Sequence, residues 1–174
     1  MKQGEAELNA NASSLTLWRQ QFESERSMTL SQLSITEQQL TETQEQLDTS
    51  YAQLETELTL LQASLGTPWP ETEWNALVTA VTNLSKNGAD DSAIAAGTIS
   101  ETSALASKIN EANPSLVTSV QDAAIKLGKT DAAQQMLNQN LQTFNIQKSS
   151  TLQALAIAES DLLSKEKLLS EART

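Results

Sequence analysis

The sequence predicts an all-α protein whose N- and C-terminal segments pair as a long antiparallel two-helix coiled-coil hairpin, with a small helical module inserted between them. Three observations carry this prediction. Leucines recur at seven-residue intervals towards both ends of the chain. All three prolines and four of the five glycines lie between residues 66 and 128. Aromatic residues make up only 3% of the chain, so the bulky side chains that dominate compact cores are scarce.

The first helix is predicted to span residues 14–65. Residues 1–13 are small and polar, which predicts a flexible segment, and Ser13 or Ser14 is a suitable N-cap. From Leu15 onward there is no proline or glycine before Gly66. A single helix of about 50 residues would be about 75 Å long.

A heptad repeat in this segment predicts a coiled-coil interface. One heptad position is occupied by leucine five times in succession: Leu33, Leu40, Leu47, Leu54 and Leu61. The complementary position holds Leu30, Tyr51, Leu58 and Leu65, with Glu37 and Gln44 as polar interruptions. Upstream, an apolar stripe of its own is formed by Leu15, Trp18 and Phe22. The eleven-residue step from Phe22 to Leu33 is typical of a stutter in the heptads.

The second coiled-coil helix is predicted over residues 130–174, with Thr130 and Asp131 at its start. Its heptad positions are Leu141, Lys148, Leu155, Leu162 and Leu169, accompanied by Leu137, Phe144 and Leu152. Neither helix has an apolar stripe wide enough to be stable alone, so the two stripes are expected to bury each other. Because both helices join the same middle module, they are expected to run antiparallel.

Lys148 occupies a core position of the heptad, where leucine is expected. If Leu65 faces Thr130, Lys148 lies near Gln44, Leu47 and Tyr51. A polar layer at that level would set the register of the two helices, at some cost in stability. The alternative is that Lys148 extends to the edge of the interface and has no role in register.

The central module, residues 66–129, carries the helix-breaking residues. Gly66 and the prolines after it end the first helix, and Pro70 precedes a new helix with acidic residues in its first turn. That helix is expected to end at Gly88, and the small residues of 88–102 predict a loop.

Two further helices complete the predicted module. A weaker one includes residues 104–111. Asn113 and Pro114 open another, which is expected to end at Gly128.

The composition predicts no catalytic, metal or cofactor site. Histidine and cysteine are both absent, which removes the usual general base, nucleophile and transition-metal ligands. Glu71 and Glu73 lie near Trp69 and Trp74, an arrangement that a carbohydrate-cleaving site would use. The same residues are explained by acids in a first helical turn, one tryptophan in a connection and one tryptophan on an apolar helix face. We therefore predict that the protein is not an enzyme.

The net charge of −11 disfavours nucleic acid as a partner, because a field of this sign repels phosphate. Residues 1–65 hold ten acids and three bases, so most of the excess lies in the first helix. No segment has the roughly 20 apolar residues of a membrane span, and the first residues lack a secretory signal. We expect a soluble protein. The sequence is compatible with secretion that uses no cleavable signal and with a place in a virion.

Apolar residues outside the predicted seam favour a structural or assembly subunit that oligomerises or docks through its coiled-coil helices. One partner helix cannot cover Leu17, Trp18, Leu60, Ile146, Ile157, Leu163 and Leu168 together. Candidate contacts with a protein partner are Trp18, Phe22, Trp69 and Trp74. The layout is similar in outline to bacterial secretion filament and tip subunits, flagellin-like proteins and phage tail or head components, with no shared motif. The alternative function is an adaptor or a holdase-type chaperone that binds a client with its helical arms.

Overall fold

The computed structural model of the protein describes residues 2–174, which confirm the all-α prediction: no strand occurs in this range. The helices are α1 (Lys2–Leu65), α2 (Glu71–Lys86), α3 (Asp91–Gly97), α4 (Ile99–Ala112) and α5 (Val117–Arg173), with a 3-10 turn at Pro114–Leu116. The long N- and C-terminal helices, α1 and α5, pack together.

The chain divides into two compact units, and α1 and α5 contribute to both. Unit 1 contains the N-terminal residues as far as Gln39 together with Gln142–Thr174. Unit 2 is Leu40–Leu141, which includes α2, α3 and α4. The boundaries between these units, after Gln39 and after Leu141, differ from the boundaries of the four segments predicted from the sequence.

Unit 2 has a continuous hydrophobic core to which all five helices contribute. The core contains Leu61, Leu65, Trp74, Leu77, Val78, Val81, Ile94, Leu105, Ile109, Val120, Ala123 and Ala124. In α2, the apolar residues Leu77, Val78 and Val81 are three and four positions apart, so they share one face of the helix. Burial of these side chains is the main favourable contribution to the stability of the unit.

The helix ends in unit 2 follow from glycine and from capping side chains. Gly66 and Gly88 have φ angles of 69° and 78°, which glycine adopts without the Cβ penalty. They end α1 and α2 as predicted. The Asp90 carboxylate accepts a hydrogen bond of 2.8 Å from the Ala93 amide and caps α3.

Residues 88–102, for which we expected a loop, are largely helical. They contain α3 and the beginning of α4. Ile94 and Thr98 are buried there, and the Thr98 hydroxyl donates to the Ile94 carbonyl at 2.7 Å. Small residues thus allow this segment to pack closely on the core instead of forming a loop. A Cβ at Gly97 would meet Leu84 Cδ1 at 2.8 Å.

Gly128 does not end a helix, contrary to the prediction. It lies inside α5, which begins at Val117 and continues past Thr130 without a break. A Cβ at Gly128 would lie 2.6 Å from Val81 Cβ and 2.9 Å from the Val78 carbonyl oxygen. Glycine is therefore present because α5 approaches the backbone of α2 closely here, and not because a helix stops.

Residues 2–13, expected to be a flexible segment, form the first turns of α1. Alanines such as Ala6, Ala10 and Ala12 favour helix. Leu8 lines an apolar groove together with Leu168 near the end of α5. The prediction from polar composition was therefore wrong, because an apolar residue of this segment lies beside apolar residues of α5.

Candidate interaction surfaces

Three ion pairs join α1 to α5 in unit 1 at matching intervals. They are Arg19 with Glu166, Arg26 with Glu159, and Glu37 with Lys148. Steps of seven and then eleven residues forward along α1 correspond to steps of seven and eleven residues backward along α5. The three pairs therefore report a single register for this unit.

The Arg19–Glu166 pair is bidentate. Arg19 Nε donates to one carboxylate oxygen of Glu166, and Nη2 donates to the other at 2.7 Å. This hydrogen bonding lowers the pKa of Glu166 and raises that of Arg19, because it favours the charged form of both groups. Each side chain remains about one-third exposed (36% and 35%), so solvent screens the attraction.

The register predicted for Lys148 is wrong. Its ammonium lies 2.9 Å from both carboxylate oxygens of Glu37, and 5.8 Å from the centre of the Phe144 ring. Lys148 reaches the edge of the interface, where its side chain is 33% exposed. The predicted register assumed that the second helix begins at Thr130, but α5 begins at Val117, so Leu65 shares a cluster with Val120.

Unit 2 has its own polar contacts between α1 and α5. The side-chain amides of Gln44 and Gln134 exchange hydrogen bonds of 3.0 and 2.9 Å. The Tyr51 hydroxyl donates to the Asp131 carboxylate at 2.7 Å. Burial, followed by this hydrogen bond, raises the pKa of Tyr51 well above its usual range. Both contacts hold α1 and α5 at defined positions within the unit.

The residues predicted for the coiled-coil interface differ in burial. Six of them are buried: Leu54, Leu61, Leu65, Leu137, Phe144 and Leu162. Half-buried are Leu33, Leu40, Leu47, Tyr51, Leu58, Leu141, Lys148, Leu155 and Leu169. Leu30 and Leu152 are 39% and 41% exposed, so the structure places them outside the buried part of the interface. Heptad spacing alone could not show this, because the stutter moves the seam around each helix.

Of the four candidate partner residues, Trp74 is unavailable to a partner. It is buried in the core of unit 2, where its ring meets the half-buried Trp69 edge-on, with 5.1 Å between the centroids. Phe22 is half-buried. Trp18 is 50% exposed, and the Lys165 ammonium lies 4.9 Å from the centre of its ring. Trp18 is thus the most accessible of the four.

Unit 1 exposes more large hydrophobic side chains than unit 2. Among residues 3–174, large hydrophobic side chains are exposed at ten positions of unit 1: Leu17, Trp18, Met28, Leu30, Ile35, Ile146, Leu152, Ile157, Leu163 and Leu168. Unit 2 has three, namely Leu60, Ile99 and Met136. All seven residues that the sequence placed outside the predicted seam belong to these two sets. Met28, Leu30, Ile35 and Leu152 extend the apolar surface beyond what we predicted.

An apolar groove of about 380 Å³ lies at one end of unit 1. It is lined by Leu8, Leu15, Trp18, Leu168 and Leu169, with Lys165 and small or polar residues beside them. Leu15 is buried, whereas Trp18 and Leu168 are exposed at its border. The groove offers an aromatic and an aliphatic surface to another apolar side chain.

A second groove, of about 500 Å³, lies in unit 2 where the sequence places Glu71 and Glu73 near tryptophan. Its charged residues are Glu71, Glu73, Lys108 and Glu111, and Trp69 is its aromatic residue. Trp74 belongs to the core instead. The two acids lie in the first turn of α2, where the helix dipole favours negative charge.

Charge is distributed unequally between the units. Unit 1 has nine acids and seven bases, a net charge of −2, whereas unit 2 has thirteen acids and four bases, a net charge of −9. Within the described range, the acids form no group of three or more that could hold a metal ion. No helix over residues 2–174 combines the length and apolar character needed to cross a membrane.

No protein-family model matches the chain, and no curated protein and no solved structure is significantly similar to it.

Proposed function

We propose that this protein is a non-enzymatic structural subunit that associates through the helices of unit 1 into a larger assembly. The observation that supports the proposal is the set of ten exposed large hydrophobic side chains in unit 1. Large hydrophobic side chains left exposed in this number are typical of surfaces that contact another protein. The low net charge of unit 1 does not oppose contact between copies.

The proposal includes antiparallel coiled-coil pairing of α1 with α5. Its support is the pattern of ion pairs in unit 1, in which each step forward along α1 is matched by an equal step backward along α5. Heptad leucines on both helices are the second support. Cysteine scanning at facing levels, such as Thr29 with Leu155 against Thr29 with Ser164, distinguishes this pairing from a parallel or shifted one.

An extracellular, secretion-type or virion assembly is the class of assembly that we favour. The support is compositional: the chain is rich in Ser, Thr, Gln, Ala and Asn, and has neither Cys nor His. An antibody to the protein, used on particle, secreted and cell fractions of the source, tests this part of the proposal separately. Recovery only inside cells and free of particles would contradict it.

The second candidate function is an adaptor or holdase-type chaperone that works as a monomer. The apolar groove beside Trp18 supports it, because a client side chain could occupy a space of about 380 Å³ there. This function predicts a stable monomer and reversible binding of unfolded clients, which Trp18→Ala weakens.

The deciding experiment is light scattering on a size-exclusion column at several concentrations, with X-ray scattering on the same peak. The assembly proposal predicts a mass above 18.8 kDa that is stable or grows with concentration. A monomer at every concentration would contradict it and favour the adaptor function. X-ray scattering gives an independent measure of the same mass.

A further inference from the structure

The exposed apolar residues of α5 in unit 1 include a regular line. Ile146, Ile157 and Leu168 are eleven residues apart, and their side chains are 64%, 58% and 66% exposed. Eleven residues are close to three helical turns, so these side chains stack along one line of the helix. We call these three residues the α5 stripe.

A similar line runs along α1. Leu17 and Met28 are also eleven residues apart, and Ile35 follows seven residues later; their side chains are 59%, 68% and 46% exposed. Spacings of seven and eleven both return to the same side of a helix. We call these three residues the α1 stripe.

Both stripes lie on the far sides of their helices from the α1–α5 contact. In α1 the contact is marked by buried Leu15, and in α5 by buried Phe144 and Leu162. With about 100° of rotation per residue, every stripe residue is roughly 120–160° around its helix from those buried residues. The stripes therefore cannot be covered by pairing of α1 with α5 within one chain.

The two stripes are also level with each other. Leu17 precedes Arg19 by two residues, and Leu168 follows its ion-pair partner Glu166 by two residues. The same relation holds at the next ion pair, where Met28 follows Arg26 and Ile157 precedes Glu159. A second copy placed alongside would thus bring its α1 stripe to the level of the first copy's α5 stripe without a shift along the helices.

We propose that copies of this chain associate side by side, with the α1 stripe of one copy packed on the α5 stripe of the next. This inference rests on the proposed assembly function and specifies its contact. The contact is heterologous, since it joins two different surfaces, so each copy keeps one free stripe after the first contact. Association then continues until the copies close a ring or form an extended array.

The small area of each stripe favours repeated weak contacts between copies over one tight contact with a single partner. The α5 stripe covers 22 residues, or about 33 Å of helix, and a contact about 10 Å wide along it covers about 330 Å² per copy. This is less than half of the roughly 800 Å² per partner in a typical stable complex. One contact is therefore weak, and a copy held through both stripes is held more firmly.

The test uses full-length protein with a charge placed in the middle of either stripe. Met28→Glu interrupts the α1 stripe, and Ile157→Glu interrupts the α5 stripe. Ser34→Glu and Asn145→Glu add the same charge at exposed positions on other sides of the same helices, and serve as matched controls. Circular dichroism confirms that each variant keeps its helices, and sedimentation velocity measures its mass over a range of concentrations.

We expect either stripe variant alone to stop growth, raising the concentration needed for assembly by at least about tenfold, since a charge would be buried in an apolar contact. The controls are expected to assemble as the unmodified protein does. At the highest concentrations, an equal mixture of Met28→Glu and Ile157→Glu is expected to form a dimer of one copy of each, held by a single contact, and nothing larger. Each of those variants retains the one stripe that the other lacks.

The outcomes separate this inference from the proposed function. If the unmodified protein is a monomer at all concentrations, both fail. If it assembles but the stripe variants match their controls, the assembly function stands and the stripes are not the contact. If Ile157→Glu abolishes assembly and Met28→Glu has no effect, the α5 stripes pack on each other, and the heterologous contact is overturned.

Discussion

Units 1 and 2 are built on the same two long helices but differ in what covers them. Within the described residues, the buried hydrophobic side chains of unit 1 are three, namely Leu15, Phe144 and Leu162, whereas unit 2 has fifteen. Exposure is reversed, with ten large hydrophobic side chains in unit 1 and three in unit 2. In unit 2, helices α2, α3 and α4 complete the core. A pair of helices leaves apolar faces uncovered. In unit 2, further helices cover those faces, whereas the described part of unit 1 has no such helices.

The largest expected effect comes from truncating a core side chain of unit 2. Leu77 is fully buried, so Leu77→Ala is expected to lower the free energy of unfolding by about 2–5 kcal/mol. Leu152→Ala in unit 1 makes the same chemical change at a side chain that is 41% exposed. It is expected to cost about 0.5 kcal/mol or less. Urea denaturation followed by circular dichroism measures both, and equal losses would remove the distinction between the units.

A smaller loss is expected at the close approach of α5 to α2. Gly128→Ala places a Cβ 2.6 Å from Val81 Cβ, so we expect a loss of about 1–3 kcal/mol despite the better helix propensity of alanine. Gly4→Ala is the matched control, because a Cβ there meets nothing within 4 Å. That variant is expected to be neutral or more stable by up to about 1 kcal/mol. Thermal unfolding of the two variants compares them, and a stabilised Gly128→Ala would show that the two helices can separate freely.

The next effect concerns the hydrogen bond between Tyr51 and Asp131 in unit 2. Tyr51→Phe removes a donor at 2.7 Å and is expected to cost about 0.5–1.5 kcal/mol. Because the folded-state pKa is raised above the ordinary value of 10.0, this contribution is complete below pH 10 and is lost as the pH rises towards the folded-state value.

Unfolding of the Tyr51→Phe and unmodified proteins at neutral and at alkaline pH measures both parts of that prediction. Tyr51 is the only tyrosine of the chain, so its ionisation can be followed directly by tyrosinate absorbance. A difference between the two proteins that persisted unchanged well above pH 10 would contradict the assignment.

The smallest effect is expected in unit 1, at the bidentate pair of Arg19 and Glu166. Both side chains are partly solvated, so Glu166→Gln is expected to destabilise the protein only slightly, and less as salt is added. The lowered pKa of Glu166 means that its contribution is complete above its ordinary pKa of 4.5 and is lost as the pH falls below it.

A double-mutant cycle with Arg19→Gln, measured at neutral and at acidic pH, isolates the interaction of Glu166 with its partner. A coupling energy that grew on acidification would have the wrong sign for this pair. A coupling as large as the loss in Leu77→Ala would show that unit 1 depends on ion pairs more than its exposure indicates.

Much of the helical organisation could be predicted from local features of the sequence. The glycines with positive φ, Gly66 and Gly88, ended α1 and α2 where expected. These features depend only on neighbouring residues, so they can be recognised without knowledge of tertiary contacts.

The features that were missed depend on contacts between distant residues. Gly128 has the same local signature as a helix end, and only the proximity of Val81 explains it. The register of Lys148 depended on where α5 begins, which the sequence did not indicate. For the candidate surface, the sequence identified exposed apolar residues such as Ile157. It left Trp74 as either a partner contact or a member of an apolar helix face, and the structure shows that Trp74 is buried. That the two stripes lie level with each other along the helices could be recognised only from the ion pairs between α1 and α5.

The long sequence separation of the ion-paired residues in unit 1 indicates the order in which the chain is expected to fold. They join residues separated by 111, 133 and 147 positions, whereas the helices α2, α3 and α4 of unit 2 are consecutive in sequence. Closing a longer loop costs more conformational entropy, and distant contacts slow folding. We expect unit 2 to form first, followed by the pairs of unit 1 in order of increasing sequence separation, from Glu37 to Arg19. Unit 1 would then be the last part of the protein to fold and the first to open.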